Sequence, residues 1–412
     1  MNPVIENVIA NAINEHSAEL RELSIKIHDE PELSFHEYKA YGWLTEYLEK
    51  KGFKITRQVA DMETSFVAEY SNSSSGRRVG FCSEYDALPG VGHGCGHNLI
   101  AISGVACALA MKALLDQNLV QGSVVLFGTP AEEIGSGKVC MINTGEFQKR
   151  VDFCMMLHPF ARDGVFTRML AIDTLYVEYF GKASHAGMAP WNGINALDAL
   201  MQAWDNVSML RQQTLPTNRI HGIITNGGKS PNVIPDYASA NFYARALNRE
   251  QLKELSSKLN KCFEAAAVAT GCQLKLRWVG AVDGTVDISK ENNSSSSCCI
   301  DVFQNDTLGY QYIKYMEEEG VKMPAREETE KEVSGSTDMG NVSYTLPSLH
   351  PGFAIGTTAT NHTVEFSDAA RTEPAHEYTL RAARSLSKTA AAVLLDNELF
   401  EQVVADFKKR SH

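Results

Sequence analysis

The residues best suited to bind a metal ion or to take part in catalysis are concentrated in one segment, EYDALPGVGHGCGHN, at residues 84–98. It holds His93, Cys95 and His97, three potential metal ligands within five residues, among glycines that let the backbone turn sharply around one point. An isolated Cys or His is more often a structural residue. The dense spacing among glycines favours a metal site or a catalytic site.

Two adjacent acids, Glu132 and Glu133, follow the apolar run SVVLF. Neighbouring carboxylates at the end of a strand repel each other unless a cation or a shared proton offsets the repulsion. Because consecutive side chains point in different directions, one carboxylate can bind a metal ion while the other acts as general base on a metal-bound water. The alternative interpretation is a pair of solvated surface acids.

Two further histidines, His158 and His362, complete a possible ligand set. His158 ends the predicted strand VDFCMML, where open α/β sheets place their sites, and His362 lies in a polar loop after the apolar run GFAIG. Each taken alone would be an ordinary histidine. The five candidate ligands are Cys95, His97, Glu133, His158 and His362. They suffice for one ion with spare donors or for two ions sharing a ligand, and they suit zinc, manganese, cobalt or nickel but not calcium.

A second group of candidates lies further along the chain. His185 stands in the glycine-bounded turn GKASHAG, and Asn232 and Arg245 are 13 residues apart across two predicted strands. As functional residues they offer hydrogen-bond donors for an oxyanion and a bidentate partner for a carboxylate. They can equally be an ordinary turn histidine, a turn asparagine and a strand arginine.

Other chemistries are compatible with parts of these motifs. The segment GSGK at residues 135–138 resembles the end of a phosphate-binding loop, but Glu132 occupies the position where that motif needs glycine, which excludes it. A thiol hydrolase with Cys95 as nucleophile and His97 as base stays open, as does a protein that binds metal or peptide without turnover. An acid beside the candidate ligand Glu133 favours catalysis, because a purely structural metal site has no use for it.

The elements around these residues are predicted to be strands alternating with helices, which favours an α/β fold with a mostly parallel sheet. Residues 170–288 follow the order βαββαβ, which is typical of a ferredoxin-like domain. We therefore predict a discontinuous metal-binding catalytic domain, residues 1–169 and 289–412, interrupted by an inserted domain. The polar stretch SKENNSSSSCC at residues 289–299 is predicted to be a linker with adjacent thiols Cys298 and Cys299.

The composition of the chain excludes several classes of partner and predicts the compartment of the protein. The 412 residues include 38 Lys plus Arg and 50 Asp plus Glu, a net charge of -12 without a basic cluster, which argues against nucleic acid and acidic membranes as partners. The N-terminus lacks the pattern of a secretory signal, and the longest apolar stretch, residues 99–115, is interrupted by Ser103 and Lys112. Nine cysteines without a CxxC pair predict reduced thiols and a cytoplasmic protein.

These motifs resemble the M20 family of metallopeptidases and amidohydrolases, which includes aminoacylases, dipeptidases and carboxypeptidases. Within the family they are similar to the subgroup of peptidase M20 domain-containing protein 2 and the aminobenzoyl-glutamate hydrolases. The segments that carry the resemblance are EYDALPGVGHGCGHN, GTPAEE, MMLHP, GKASHAGMAPWNGINALDAL, GGKSPNVIPDYASANFYARA, GSTDMGNVS and NHTVEFSDAARTEPAH. They span most of the chain.

The resemblance implies roles for the candidate residues. The five candidate ligands would bind one or two divalent ions, zinc or manganese first and cobalt or nickel next, with Glu132 as general base and Asp86 orienting a metal-bound histidine. His185 would polarise the substrate carbonyl, often from the partner protomer, while Asn232 and Arg245 hold a substrate carboxylate. The inserted domain would be a lid and a homodimerisation domain.

The expected reaction is hydrolysis of the amide bond of a dipeptide or an N-acyl amino acid by a metal-activated water. Dipeptides with a basic C-terminal residue and aryl-acyl glutamates are the substrates that the subgroup suggests. The chain departs from the wider family at two positions. Glu84 replaces the histidine of the H-x-D segment, and Cys95 replaces a bridging aspartate, as in the amidohydrolase branch. The number of bound ions therefore stays open between one and two.

Overall fold

The computed structural model describes residues 1–280 and 299–409 and divides the chain into two units. The first unit comprises Met1–Arg168 and Val302–His412, and the second is Met169–Asp301. The second unit extends beyond the boundary expected at residue 288, because the backbone of Cys299 exchanges two hydrogen bonds with Ile172. Most of the predicted linker, Cys298 included, lies outside the described residues.

The first unit is built on a six-stranded sheet. Its strands, numbered along the whole chain, are β1 (Lys54–Arg57), β2 (Phe66–Ser71), β3 (Arg77–Ser83), β4 (Gly122–Gly128), β5 (Phe153–Met155) and β11 (Ser348–Leu349). The spatial order is β1-β2-β4-β3-β5-β11; the pairs from β4 to β11 are parallel, and β1 and β2 are antiparallel to their neighbours. This confirms the predicted mostly parallel sheet. A separate parallel pair joins β6 (His158–Phe160) to β12 (Gly352–Ala354).

Helices make up most of the remaining first unit. They are α1 (Pro3–Glu15), α2 (Ser17–Asp29), α3 (Tyr38–Lys50), α4 (His97–Asp116), α5 (Gly137–Asn143), α6 (Glu146–Arg150), α9 (Asp306–Glu318), α10 (Arg326–Thr329), α11 (Met339–Thr345), α12 (Val364–Ala370), α13 (Glu373–Leu395) and α14 (Asn397–Lys408). Polar side chains cap the N-termini of several of these helices. At the start of α13, for example, the Thr372 side chain accepts a hydrogen bond from the Ala375 amide.

Helix α4 lies in the core of the first unit and is buried on all sides along most of its length. It approaches β3 so closely at Gly104 that an added Cβ would collide with the Ser83 hydroxyl. Within the described residues, α4 is the helix that has the length and composition of a membrane span, yet 89% of its apolar window is buried inside the protein. Core helices meet the same criteria.

The second unit has the predicted βαββαβ order. Its elements are β7 (Ala171–Phe180), α7 (Ala196–Leu210), β8 (Arg219–Asn226), β9 (Tyr237–Ala246), α8 (Arg249–Thr270) and β10 (Gln273–Trp278). The antiparallel sheet has the order β10-β7-β9-β8. Burial alternates residue by residue along β9, as expected where only one sheet face is covered. Helix α8 buries Leu252, Leu255, Leu259 and Phe263, which recur at helical spacing.

Candidate metal centre

The loop between β3 and α4 delivers Cys95 and His97. His97 is the first residue of α4, and the turn before it is made by Gly96, which has a left-handed φ of 77°. A Cβ on Gly96 would lie 2.6 Å from Cγ of Pro159. Both the backbone conformation and the close approach therefore require glycine. The turn places Cys95 Sγ 3.5 Å from Nε2 of His158.

His158 does not end a strand, contrary to the prediction. The segment VDFCMML contributes β5 only as far as Met155, and His158 begins β6, where it pairs with Gly352 of β12. The predicted strand is split because the chain changes its pairing partner from β11 to β12.

His362 lies in a loop with a left-handed φ of 69°, and its amide donates a hydrogen bond to the Gly94 carbonyl at 2.8 Å.

The structure brings all five predicted ligands together. Glu133 lies between two histidines: its Oε1 is 3.7 Å from Nε2 of His97, and its Oε2 is 3.5 Å from Nε2 of His362. Potential donor atoms lie within 4.8 Å of one another in three groups. These groups are Cys95 with His97 and His158, Cys95 with Glu133 and His362, and Glu84 with His97 and Glu132. Since Cys95 and His97 each belong to two groups, the groups form one continuous centre.

Hydrogen bonds orient both buried histidine rings for metal binding. Nδ1 of His97 lies 3.0 Å from Oδ1 of Asp86, and Nδ1 of His158 lies 2.9 Å from the Pro159 carbonyl oxygen. Each Nδ1 therefore donates, and each Nε2 keeps its lone pair for a cation. Asp86 also accepts hydrogen bonds from the Ser34 hydroxyl and the Glu133 amide, both at 3.0 Å. The predicted role of Asp86 in orienting His97 fits this geometry.

The spacing of the donor atoms suits a shared ion. Two N or O donors about 2.0–2.1 Å from a tetrahedral zinc ion are about 3.4 Å apart, and a sulfur ligand lengthens this separation slightly. The observed separations of 3.5–3.7 Å between candidate ligand atoms are close to that spacing. Three buried atoms of the centre have no hydrogen-bond partner among the described residues: Nε2 of His97, Oε1 of Glu133 and Oε2 of Glu84. Because orphaned buried polar atoms are costly, these residues fit a divalent transition metal.

The electrostatic environment distinguishes metal ligation from thiol catalysis. Burial and the neighbouring Glu133 raise the pKa of Cys95 well above its usual range. Burial, Glu84 and Glu133 likewise raise the pKa of Glu132. Catalytic thiols lie in electropositive surroundings that lower their pKa, so this acidic environment disfavours Cys95 as a free nucleophile. A bound cation reverses the effect and favours the thiolate as a ligand.

A buried lysine beside the centre is a feature that the sequence motifs did not identify. Nζ of Lys138 donates to Oε1 of Glu84 and, at 2.6 Å, to Oδ1 of Asp338, and all three side chains have 0% exposure. Burial lowers the pKa of Lys138, but Asp338 and Glu84 outweigh it and raise that pKa well above its usual range. The available signal was a lysine within the apolar segment GKVCMIN of α5.

In the second unit, the structure brings His185 and Asn232 together but places Arg245 elsewhere. Nε2 of His185 lies 3.4 Å from Nδ2 of Asn232, and the His185 backbone bridges to Val233. Arg245 lies near the far end of β9, opposite Ile172. The eight residue-to-residue steps from Tyr237 to Arg245 span about 26 Å at about 3.3 Å per step. The chain before Tyr237 continues away from Arg245, because its pairing with the segment after β7 continues as far as Val233.

Comparisons with known proteins agree with this architecture. Residues 172–271 match the family described as "Peptidase dimerisation domain". The Xaa-Arg dipeptidase of Mus musculus is 41% identical, over 97% of this chain and 91% of that protein. One of the subunits of the p-aminobenzoyl-glutamate hydrolase of Escherichia coli is 28% identical, over 97% and 94%. The crystal structure of a dinuclear metal-binding M20 peptidase from Bacillus subtilis superposes with a TM-score of 0.67 at 20% identity, over 93% of this chain and 99% of that one.

Proposed function

Because the chain belongs to the M20 family of metal-dependent peptidases and amidohydrolases, we propose that it is a dipeptidase for substrates with a C-terminal arginine or another basic residue. It is a hydrolase of dipeptides or N-acyl amino acids, so the proposal concerns the substrate side chain. The observation that carries the chemistry is the convergence of Cys95, His97, Glu133, His158 and His362, with buried donor atoms that lack partners. Zinc or manganese is the proposed ion.

A divalent transition metal at this centre lowers the pKa of water and polarises a carbonyl group. Glu132 is the proposed general base, because one of its oxygens lies 3.8 Å from Nε2 of His97 and its side chain is only 8% exposed. It accepts a proton from the attacking water and returns it to the amine that leaves.

His185 is the proposed donor to the oxyanion that develops on the substrate carbonyl. Its Nδ1 accepts a hydrogen bond from the Met188 amide at 3.1 Å, so the neutral ring carries its proton on Nε2. Nε2 lies 3.4 Å from the Asn232 side-chain amide, and both side chains are exposed. A preorganised N–H donor of this kind stabilises the transition state more than the ground state.

We propose that a homodimer completes the active site. His185 and Arg245 of one protomer are separated by about the length of β9, about 26 Å, which is more than a dipeptide spans. One protomer therefore supplies His185 and Asn232 to a substrate, and the other protomer supplies Arg245 to its carboxylate. The edge strand β8 carries exposed Ile223 and Ile224, which supports an interface on the second unit.

The preference for a basic side chain is supported by a cavity of about 530 Å³ in the first unit. It lies beside Asn361, which precedes His362, and is lined by Asp163 and Glu332. One oxygen of Asp163 accepts a backbone hydrogen bond, and the other has no hydrogen-bond partner within residues 1–280 and 299–409. Glu332 forms an ion pair with Arg162, and because both side chains are exposed this pair is weak. The cavity can thus accommodate a cationic group.

A substrate screen tests the proposed function. The metal-depleted protein is reconstituted with zinc, manganese or cobalt and assayed with Xaa-Arg and Xaa-Lys dipeptides, neutral dipeptides, N-acyl amino acids and p-aminobenzoyl-glutamate. We expect metal-dependent release of free arginine or lysine with the highest kcat/KM. A higher kcat/KM for an N-acyl amino acid or for p-aminobenzoyl-glutamate would refute the proposed substrate class, while retaining the metal-dependent amide hydrolysis.

A further inference from the structure

The two oxygens of Glu84 have different environments. Oε1 accepts a hydrogen bond from Nζ of Lys138. Oε2 is buried, has no hydrogen-bond partner in the part of the chain that the structure describes, and lies 3.4 Å from Nε2 of His97. The side chains of Glu84 and His97 have 0% exposure, so water does not solvate them from bulk. An unpaired carboxylate oxygen is costly in such a place, so it requires a positively charged partner.

His97 in its metal-binding tautomer cannot be that partner. Its Nδ1 donates to Asp86, which leaves Nε2 with a lone pair that faces Oε2 of Glu84. Two acceptors that face each other across 3.4 Å repel, unless a cation lies between them. Imidazole nitrogen and carboxylate oxygen are both ordinary ligands of zinc and manganese. Glu132, with one oxygen 3.8 Å from Nε2 of His97, lies beside this pair as the proposed general base and is not counted as a ligand.

Lys138 and Asp338 fix the Glu84 carboxylate in this orientation. Asp338 is bound twice by the same residue: Oδ1 accepts from Nζ of Lys138 at 2.6 Å, and Oδ2 accepts from the Lys138 amide at 2.9 Å. The lysine is thereby held rigidly and occupies Oε1 of Glu84. Since Oε1 is used, Oε2 is the oxygen that remains directed towards His97.

We propose that Glu84 is a sixth metal ligand, beyond the five candidates, and that it shares an ion with His97. Lys138 and Asp338 are positioning residues that hold the Glu84 carboxylate. The proposal rests on the proposed function in one respect, namely that the centre binds divalent metal. It also gives a role to Lys138 of the GSGK segment, which does not form a phosphate-binding loop.

Zinc binding to the full-length chain tests the proposal without an activity assay. The wild type and Glu84→Gln are stripped of metal and titrated with zinc alone; stoichiometry is measured by elemental analysis and affinity by competition with a chromophoric chelator. We expect two zinc ions per wild-type chain. In Glu84→Gln, one ion is lost or binds at least about tenfold more weakly while the other is unchanged. Lys138→Met should weaken the binding of the same ion.

Two further variants control for folding. The double variant Glu84→Gln/Lys138→Met removes both charges together and leaves no unpaired lysine; it is expected to fold, by circular dichroism, and to show the same zinc defect. Lys112→Met breaks the exposed pair with Asp116 on α4 and should leave zinc binding unchanged. Unchanged binding of both ions in folded Glu84→Gln overturns the proposal, as does a wild type with a single ion that the substitution does not affect.

Activity measured in parallel separates this proposal from the proposed function. A wild type that hydrolyses dipeptides only with metal, together with a Glu84→Gln variant that retains both ions, refutes the role of Glu84 alone. A wild type that binds no zinc refutes both.

Discussion

The separation of His185 from Arg245 within one protomer makes a specific prediction about mixed dimers. In the proposed homodimer, each active site needs one copy of both residues, and the length of β9 is the reason to assign them to different protomers. The His185→Ala homodimer should lose about 10²–10³ in kcat because it lacks an oxyanion donor. The Arg245→Ala homodimer loses a charge-assisted hydrogen bond worth about 1.5–3 kcal/mol, or about 10–150-fold in kcat/KM.

A dimer of one His185→Ala chain and one Arg245→Ala chain contains one site with both residues intact and one site that lacks both. Purified mixed dimers should therefore recover about half of the wild-type activity, and an unsorted equal mixture about one quarter. A cis control carries both substitutions on one chain and pairs it with a wild-type chain. Each of its two sites then lacks one residue, so its activity should be close to that of the single-variant homodimers.

The assay is the release of the free C-terminal amino acid by dimers co-expressed with two different affinity tags and purified through both. A doubly tagged wild-type dimer provides the reference rate. The opposite pattern, in which the cis dimer retains half of the activity and the trans dimer almost none, would refute the reasoning, because it would mean that one protomer supplies both residues.

Three further predictions concern the metal, the turn before α4 and the substrate. Burial raises the pKa of Glu133 to about 7, and metal binds its ionised carboxylate. Below pH 7, zinc affinity in chelator competition should therefore fall more steeply with falling pH than above it, by about one further factor of ten per pH unit for the proton displaced from Glu133, and a slope that does not change near pH 7 would contradict this. Gly96→Ala should reduce the free energy of unfolding, measured in urea, by about 1–3 kcal/mol more than Gly90→Ala. Both glycines have a positive φ, but a Cβ at Gly90 meets no atom within 4 Å, so Gly90→Ala controls for backbone strain. Equal losses in the two variants would exclude a destabilising contact with Pro159. Asp163→Asn should lower kcat/KM for a dipeptide ending in arginine but not for its neutral citrulline analogue, and an equal loss for both would remove Asp163 from specificity.

Much of the first unit could be predicted from the sequence, because its ligands follow strands or open helices within recognisable local motifs. The alternation of strands and helices around Cys95, His97 and Glu133 was sufficient to predict a mostly parallel sheet with a shared site. The error at His158 arose because an apolar run does not show where a strand changes its partner. Only the folded chain reveals that β6 pairs with β12.

Other features depend on contacts that local sequence does not encode. Lys138 and Asp338 are separated by 200 residues, and only the fold brings them to Glu84. The sequence gives the number of residues between Asn232 and Arg245, but the distance between their side chains depends on how much of that segment is extended strand. Since Tyr237 to Arg245 is extended strand, the spacing separates the two side chains instead of bringing them together.

The most direct test of the central claim, metal-dependent hydrolysis with Glu132 as general base, is the turnover of a dipeptide by zinc-loaded Glu132→Gln whose metal content has been measured. The amide keeps the size of the side chain but cannot accept the proton. We predict wild-type zinc content with hydrolysis reduced by about 10²–10⁴. Hydrolysis at the wild-type rate by the fully loaded variant would contradict the mechanism.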